Sequence, residues 1–403
     1  MVPAFPDGEP APESGALPES ARHGAAERPW SAYVHVPFCS VRCGYCDFNT
    51  YTARELGPGA DRDQYANTLA TEIELAGAVL AEFPERELDT VFFGGGTPTL
   101  LPAADLAAML DALKQRFGLV PGAEVTTEAN PDTLSDSYAA ELAAAGFTRV
   151  SIGMQSADER VLSVLDRTHN PDNVATAIAA AKNAGLSCSL DLIYGTPGES
   201  HDSWRTSLQA AIALEPDHIS AYALGIEEGT KMGADVRRGL LPDVDPDVQA
   251  DRYEIADELL TSAGYPWYEV SNFARPGHEC RHNIHYWRNS DWWGFGPGAH
   301  SHIGGVRWWN VKHPRAYAQL LATGVSPAHA REVLSDRARH EEHVMLGIRL
   351  REGIAIPMDA RAEIDTLVGD GLIDATAAAD GRAVLTLRGR LLADRVTYAL
   401  LGI

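Results

Sequence analysis

From residue 31 to about residue 225 the chain repeats one unit: a short apolar run, a loop, then an Ala-rich stretch with helical spacing. Strands separated by crossover helices must lie parallel, in right-handed units, with both faces of the sheet covered. The spacing predicts strands over 31–36, 90–93, 123–128, 149–153, 187–193 and 217–222. It predicts helices over Gln64–Leu80, Asp105–Phe117, Ser135–Ala145, Asp172–Ala184 and Ser203–Leu214. Gly118, Gly146 and Gly185 stand at the ends of three of these, where a left-handed residue stops a helix. Six units give an α/β fold of the partial (β/α)6 barrel type rather than a closed eight-unit barrel. In such barrels the chemistry gathers at the C-terminal ends of the strands.

The flanks differ in composition. Residues 1–28 are rich in Pro, Ala, Glu and Gly and read as a disordered tail, so order is expected over 29–230 for the barrel. Residues 231–330 form an α+β extension holding Trp267, Trp287, Trp292, Trp293, Trp308 and Trp309, six of the eight tryptophans. That density suits either a flat ligand or an aromatic secondary core. Residues 331–403 read as helix (His340–Leu350), helix (Arg361–Val368), a β-pair around 372–373 and 384–387, and a last helix. This is a winged-helix-like pattern. With 33 basic against 56 acidic residues and a net charge of −23, nucleic acid is a disfavoured partner, and a lid or docking role is the simpler expectation.

Three of the five cysteines crowd into Cys39-Ser40-Val41-Arg42-Cys43-Gly44-Tyr45-Cys46, directly after the first strand. Thiolates are soft ligands for zinc or iron–sulfur clusters. A structural zinc site needs four protein ligands, and Cys188 and Cys280 are distant in sequence. Three thiolates on a four-iron, four-sulfur (4Fe-4S) cluster leave one iron open for a small chelating ligand. The crowding also argues for a reducing compartment. No basic stretch with an apolar core opens the chain, and no uncharged run approaches the roughly 20 residues of a membrane span. A cytoplasmic location is expected, with any membrane contact made through a partner.

The stretch from Tyr33 to Phe48, with Phe92-Phe93-Gly94-Gly95-Gly96-Thr97-Pro98-Thr99, Glu128 to Pro131, Ser151 to Gln155 and Asp191 to Gly195, resembles the oxygen-independent coproporphyrinogen oxidase family of the radical S-adenosylmethionine (SAM) superfamily. The resemblance implies a 4Fe-4S cluster on Cys39, Cys43 and Cys46, with SAM on the open iron. It implies SAM contacts at Tyr33, Gly95, Glu128 and Ala223. Tyr45, Gly96, Thr97, Gln155, Arg167 and Asp191 match positions that in the oxidases line a second SAM site.

One departure places the chain within that family. The oxidases carry a fourth cysteine two residues after the third, where this chain has Phe48. In this it resembles the heme chaperone branch, as does His282-Asn283-Ile284-His285-Tyr286-Trp287, which matches that branch's H-N-x-x-Y-W heme-binding motif. The resemblance implies heme contact at His282, Asn283, Tyr286 and Trp287. His282 is then the first candidate for the iron, with His285 and Cys280 as alternatives. A hydrogen-bonded core histidine among buried aromatics is the competing reading. The expected function is uptake of heme and delivery to apo-cytochromes of the respiratory chain, without coproporphyrinogen oxidase activity. The alternative is a coproporphyrinogen III oxidase, kept open by His35 and Arg167, which are retained from the oxidase pattern.

Overall fold

The computed structural model describes residues 7–56 and 62–403. Six strands follow the expected rhythm: β1 (Trp30–Val36), β2 (Leu88–Gly95), β3 (Leu119–Ala129), β4 (Arg149–Gln155), β5 (Ser187–Tyr194) and β6 (His218–Ala223). Between them run α1 (Tyr65–Val79), α2 (Ala103–Phe117), α3 (Asp136–Ala145), α4 (Asp172–Asn183) and α5 (His201–Ala213). Gly118, Gly146 and Gly185 follow helices with φ of +75°, +100° and +75°.

All six strands pair in parallel in chain order. A seventh parallel strand, β7 (Asp291–Phe295), joins beside β1 from the aromatic-rich extension. The extension is therefore continuous with the barrel sheet. Its remaining strands add antiparallel at both edges: 300–303, 306–310 and 328–333 beyond β7, and 272–274 and 267–269 beyond β6.

Side-chain alternation gives the two faces of the sheet different partners. One parity is apolar and packs under the helices, as with Val34 and Val36, Val91 and Phe93, Val150 and Ile152, and Leu190 and Leu192. The other parity carries polar groups into an interior cavity, as with Tyr33 and His35, Ser151 and Gln155, or Ser189 and Asp191. A helix from the extension, α6 (Arg281–Trp287), contacts β1 and β2 and closes the space at one end.

Two expectations are corrected. Residues 1–6 of the expected tail lie outside the described residues, but 7–28 pack on the protein. Glu9–Pro10 pairs with 330–331, and Ala21 and Ala25 are buried. At the other end, helices occupy Asp336–Gly347, Arg361–Gly369 and Ala393–Leu401 around a separate apolar cluster that includes Val344, Ile364, Leu372 and Val396. The β-pair is formed by Ile354–Ala355 with Arg382–Ala383, while Ile373 and Leu385 make only an isolated bridge.

Candidate functional site

The strand ends and the loops beyond them enclose a cavity of about 950 Å3. The loop after β1 carries all three motif cysteines to its wall. This loop is closed by local bonds: Cys39 N–H donates to Tyr51 O (3.0 Å), Tyr51 N–H to Pro37 O (2.7 Å) and Cys46 N–H to Cys43 O (3.2 Å). None of the three thiols is in a disulfide. Burial, reinforced by Cys46, pushes the Cys39 thiol up to about 11. Thiols crowded in this way ionise only beside a positive charge, which iron supplies. The Arg167 guanidinium, 3.7 Å from Cys43 Sγ, adds a fixed cation. The other two cysteines are elsewhere: Cys188 faces the helix layer beside Asp217, and Cys280 sits on the cavity floor with its thiol toward Glu124. The donor set of three local thiols fits a 4Fe-4S cluster with one open iron and falls short of a closed zinc site.

The glycine-rich turn after β2 runs beneath the cysteine loop. Gly95 has φ +110°, and a Cβ there would lie 2.6 Å from the His35 ring; at Gly96 it would lie 2.5 Å from Phe38 O. Only glycine fits either position. Gly95 N–H donates to Glu128 Oε2 (3.0 Å). Burial, then the nearby Asp191 carboxylate, pushes Glu128 up to about 8. His35 Nε2 faces the Asn49 carbonyl at 2.9 Å and so carries the ring proton, leaving Nδ1 to accept from Tyr33 Oη at 3.0 Å. Burial lowers His35 to about 4, so it is a neutral imidazole at pH 7.

Asp191 accepts from Ser151 Oγ (2.8 Å) and Ser220 Oγ (2.7 Å), and burial raises its pKa. Gln155 ends β4 at φ +66°, left-handed backbone in a non-glycine residue and a strained arrangement often found at ligand sites. Arg167 Nη2 donates to Gly153 O (3.0 Å), which aims the guanidinium across the cavity. Tyr45, Gly96, Thr97 and Ala223 line the same space. Every cluster and SAM residue expected from the sequence thus meets in one cavity.

The H-N-x-x-Y-W motif is split. His282, Asn283 and Tyr286 line the cavity, whereas Trp287 does not, and its indole hydrogen-bonds to Glu269. His282 is 1% exposed and stacks on Phe92 at 5.1 Å. Both ring nitrogens have partners: Nδ1 the Thr90 hydroxyl (2.7 Å), Nε2 the Tyr286 hydroxyl (3.0 Å). The side chain expected as an iron ligand is therefore fully committed within the barrel. Burial lowers it to about 3. Cys280 is no freer, since burial and then Glu124 push its thiol far up.

Sequence reasoning missed Arg149 and His218, which line the cavity and are almost fully buried. Arg149 Nη2 and His218 Nδ1 have no hydrogen-bond partner among the described residues. Their signal was parity: each lies two residues before an inward serine on its strand. Glu72 was also missed. It holds the second glycine-rich loop by accepting from Gly296 N–H (2.8 Å), Asn310 Nδ2 (2.8 Å) and Tyr317 Oη (2.5 Å).

A partial parallel barrel with a three-cysteine loop after its first strand defines a radical SAM protein, and residues 33–211 match the radical SAM superfamily. The fold is similar to that of coproporphyrinogen III oxidase (HemN) from Escherichia coli, with a TM-score of 0.79 and 25% identity over 94% of this chain and 91% of that one. The chain is 50% identical over 379 residues to the heme chaperone HemW of Mycobacterium tuberculosis, covering 93% of this chain and 95% of that protein. It is 39% identical over 297 residues to the heme chaperone HemW of Escherichia coli, covering 72% and 76%. The chain belongs to the HemW heme chaperone family. Among the described residues no helix is long and apolar enough to cross a membrane.

Proposed function

We propose that this chain binds heme and hands it to heme-free cytochromes of the respiratory chain, working in the cytoplasm and meeting membranes only through its partners. The observation that carries this reading is the 50% identity, over nearly the whole chain, to a protein named as a heme chaperone. Phe48 supports it: this side chain is 56% exposed at the cavity wall, where the oxidases have a fourth cysteine.

Cys39, Cys43 and Cys46 would hold the cluster, and SAM would occupy the cavity beside it. When bound, the reduced cluster supplies the electron that cleaves the sulfonium C–S bond. The chain's own residues position and screen. Glu128 accepts hydrogen bonds from the SAM hydroxyls. Neutral His35, fixed by Asn49 and Tyr33, adds no charge beside a sulfonium cation. Arg167 and Gln155 offer donors to a carboxylate.

The coproporphyrinogen oxidase reading is favoured by one observation, the placement of His35 and Arg167 beside the cysteine loop as part of the oxidase pattern. Anaerobic incubation of cluster-loaded protein with coproporphyrinogen, SAM and reductant separates the two. The chaperone reading predicts no decarboxylation and about one heme bound per chain in a parallel titration, as expected for a single ligand motif. Turnover to protoporphyrinogen contradicts it.

A further inference from the structure

The motif helix α6 is fixed to the barrel at its first turn. Glu124, buried on β3, accepts from the backbone N–H of Arg281 (3.1 Å) and of His282 (3.0 Å) and from the Cys280 thiol (3.5 Å). The first N–H groups of a helix have no partner within it, and a carboxylate supplies one. The backbone of His282 is therefore anchored on a strand, outside its own helix.

A second strand sets the state of the ring. Thr90, fully buried on β2, donates its hydroxyl proton to Ser31 Oγ (2.9 Å), so its lone pair receives the His282 Nδ1 proton (2.7 Å). That puts the proton on Nδ1 and the lone pair on Nε2. Metal-binding histidines are held in the same way, with the far N–H given to a fixed acceptor that sets the orientation and basicity of the ring. His285 is held in the opposite sense. Ser31 donates to its Nδ1 (2.7 Å), which uses that lone pair and leaves the proton on Nε2. Of the two histidines in the motif, it is His282 that lines the cavity.

The lone pair on His282 Nε2 is taken by the Tyr286 hydroxyl (3.0 Å). Tyr286 lies one turn further along the same helix, where side chains four apart meet. Its ring stands edge-on to the imidazole, with centroids 4.9 Å apart and planes at 81°. His282 is buried, whereas Tyr286 is half-buried, lines the cavity and rests on Trp292 at 4.8 Å. The two partners of the imidazole therefore differ in kind. Thr90 is part of a central strand, and Tyr286 is one side chain at the cavity wall whose rotation uncovers Nε2.

We propose that Thr90 is the positioning residue that readies His282 for heme iron, and that Tyr286 is the cap the iron displaces from Nε2. The inference rests on the heme-handling reading and adds how the motif keeps its histidine oriented and covered between loads. It is tested on full-length, cluster-loaded protein by anaerobic titration with heme, followed by Soret absorption. Thr90→Val keeps the shape of the side chain and removes the acceptor. It should weaken binding about tenfold or more, as loss of the outer partner of a metal-bound histidine does, and shift the Soret band. Thr90→Ser should restore both. Tyr286→Phe should act in the opposite direction and tighten binding by up to about tenfold, because the iron no longer competes with a hydroxyl. In a His282→Ala background, Thr90→Val should have no further effect on heme, and the iron–sulfur signal should persist in every variant. Wild-type protein that binds heme, with Thr90→Val matching it in affinity and spectrum or acting equally without His282, overturns the positioning role. Tyr286→Phe that binds no tighter than wild type overturns the cap. Wild-type protein that binds no heme overturns the heme-handling reading, and this inference with it.

Discussion

His282 Nδ1 lies 2.7 Å from the hydroxyl of Thr90, which donates in turn to Ser31 Oγ at 2.9 Å. Ser31 then has its own proton for His285 Nδ1 at 2.7 Å, and Tyr286 donates to His282 Nε2. This chain of polar groups ties α6 to β1 and β2. His282→Ala leaves the Tyr286 hydroxyl without a partner and Thr90 with Ser31 alone, which should cost about 1–3 kcal/mol for the buried group left unmet. His285→Ala, at a half-buried position, should cost less. Urea unfolding of the two variants checks the order. A stable His282→Ala protein would show that the network does not hold the helix.

The cluster assignment predicts close to four irons in anaerobically reconstituted protein, as a single four-iron cluster requires. Cys39→Ala, Cys43→Ala or Cys46→Ala should each abolish the paramagnetic signal of the reduced cluster. Cys188→Ala and Cys280→Ala should retain it, since one thiol lies among the barrel helices and the other on the cavity floor. A cluster lost in Cys188→Ala contradicts the ligand set.

SAM affinity should depend on pH through Glu128. Its carboxyl is pushed up to about 8 by burial, whereas accepting from Gly95 N–H and from two SAM hydroxyls at once, on both oxygens, favours the ionised form. Below pH 8 the proton must leave as SAM binds, which costs about 1.4 kcal/mol per pH unit. The dissociation constant should therefore rise up to about tenfold per unit as pH falls from 8, and level off above it. Glu128→Gln should bind more weakly at pH 8 and lose the slope. Equilibrium binding with the cluster oxidised reads both, and a flat wild-type profile counts against the role of Glu128.

Glu72 is buried under the glycine-rich loop and accepts three donors. Glu72→Ala strands the Gly296, Asn310 and Tyr317 groups and should destabilise the protein by roughly 2–5 kcal/mol. Thermal unfolding measures it. A change within experimental error would mean that the loop is held by other contacts.

The barrel strands were legible because each is an apolar run with a period of two, and their helices stop at glycines. β7 was not, because Trp292, Trp293 and Gly294 read as aromatic and loop residues and its partner β1 lies far away in sequence. The N-terminal segment was misread for a physical reason. Alanine contributes little hydropathy, yet Ala21 packs so closely that a Cβ on Gly304 would lie 2.3 Å from its carbonyl oxygen. The C-terminal β-pair is two residues per strand, too short for any periodic signal. The H-N-x-x-Y-W motif pointed to the right helix but not to its faces. Only the packing shows that His282 faces inward and Arg281 and Ile284 outward.

The most direct test of the central claim is heme delivery. Cluster-bearing protein is loaded with one equivalent of heme and mixed anaerobically with a heme-free respiratory cytochrome, and the acceptor's Soret band and activity are followed. The account predicts that both appear with wild-type protein and that transfer fails with Cys39→Ala even where heme still binds. Heme that stays on the wild-type protein, in a preparation that decarboxylates coproporphyrinogen, would contradict it.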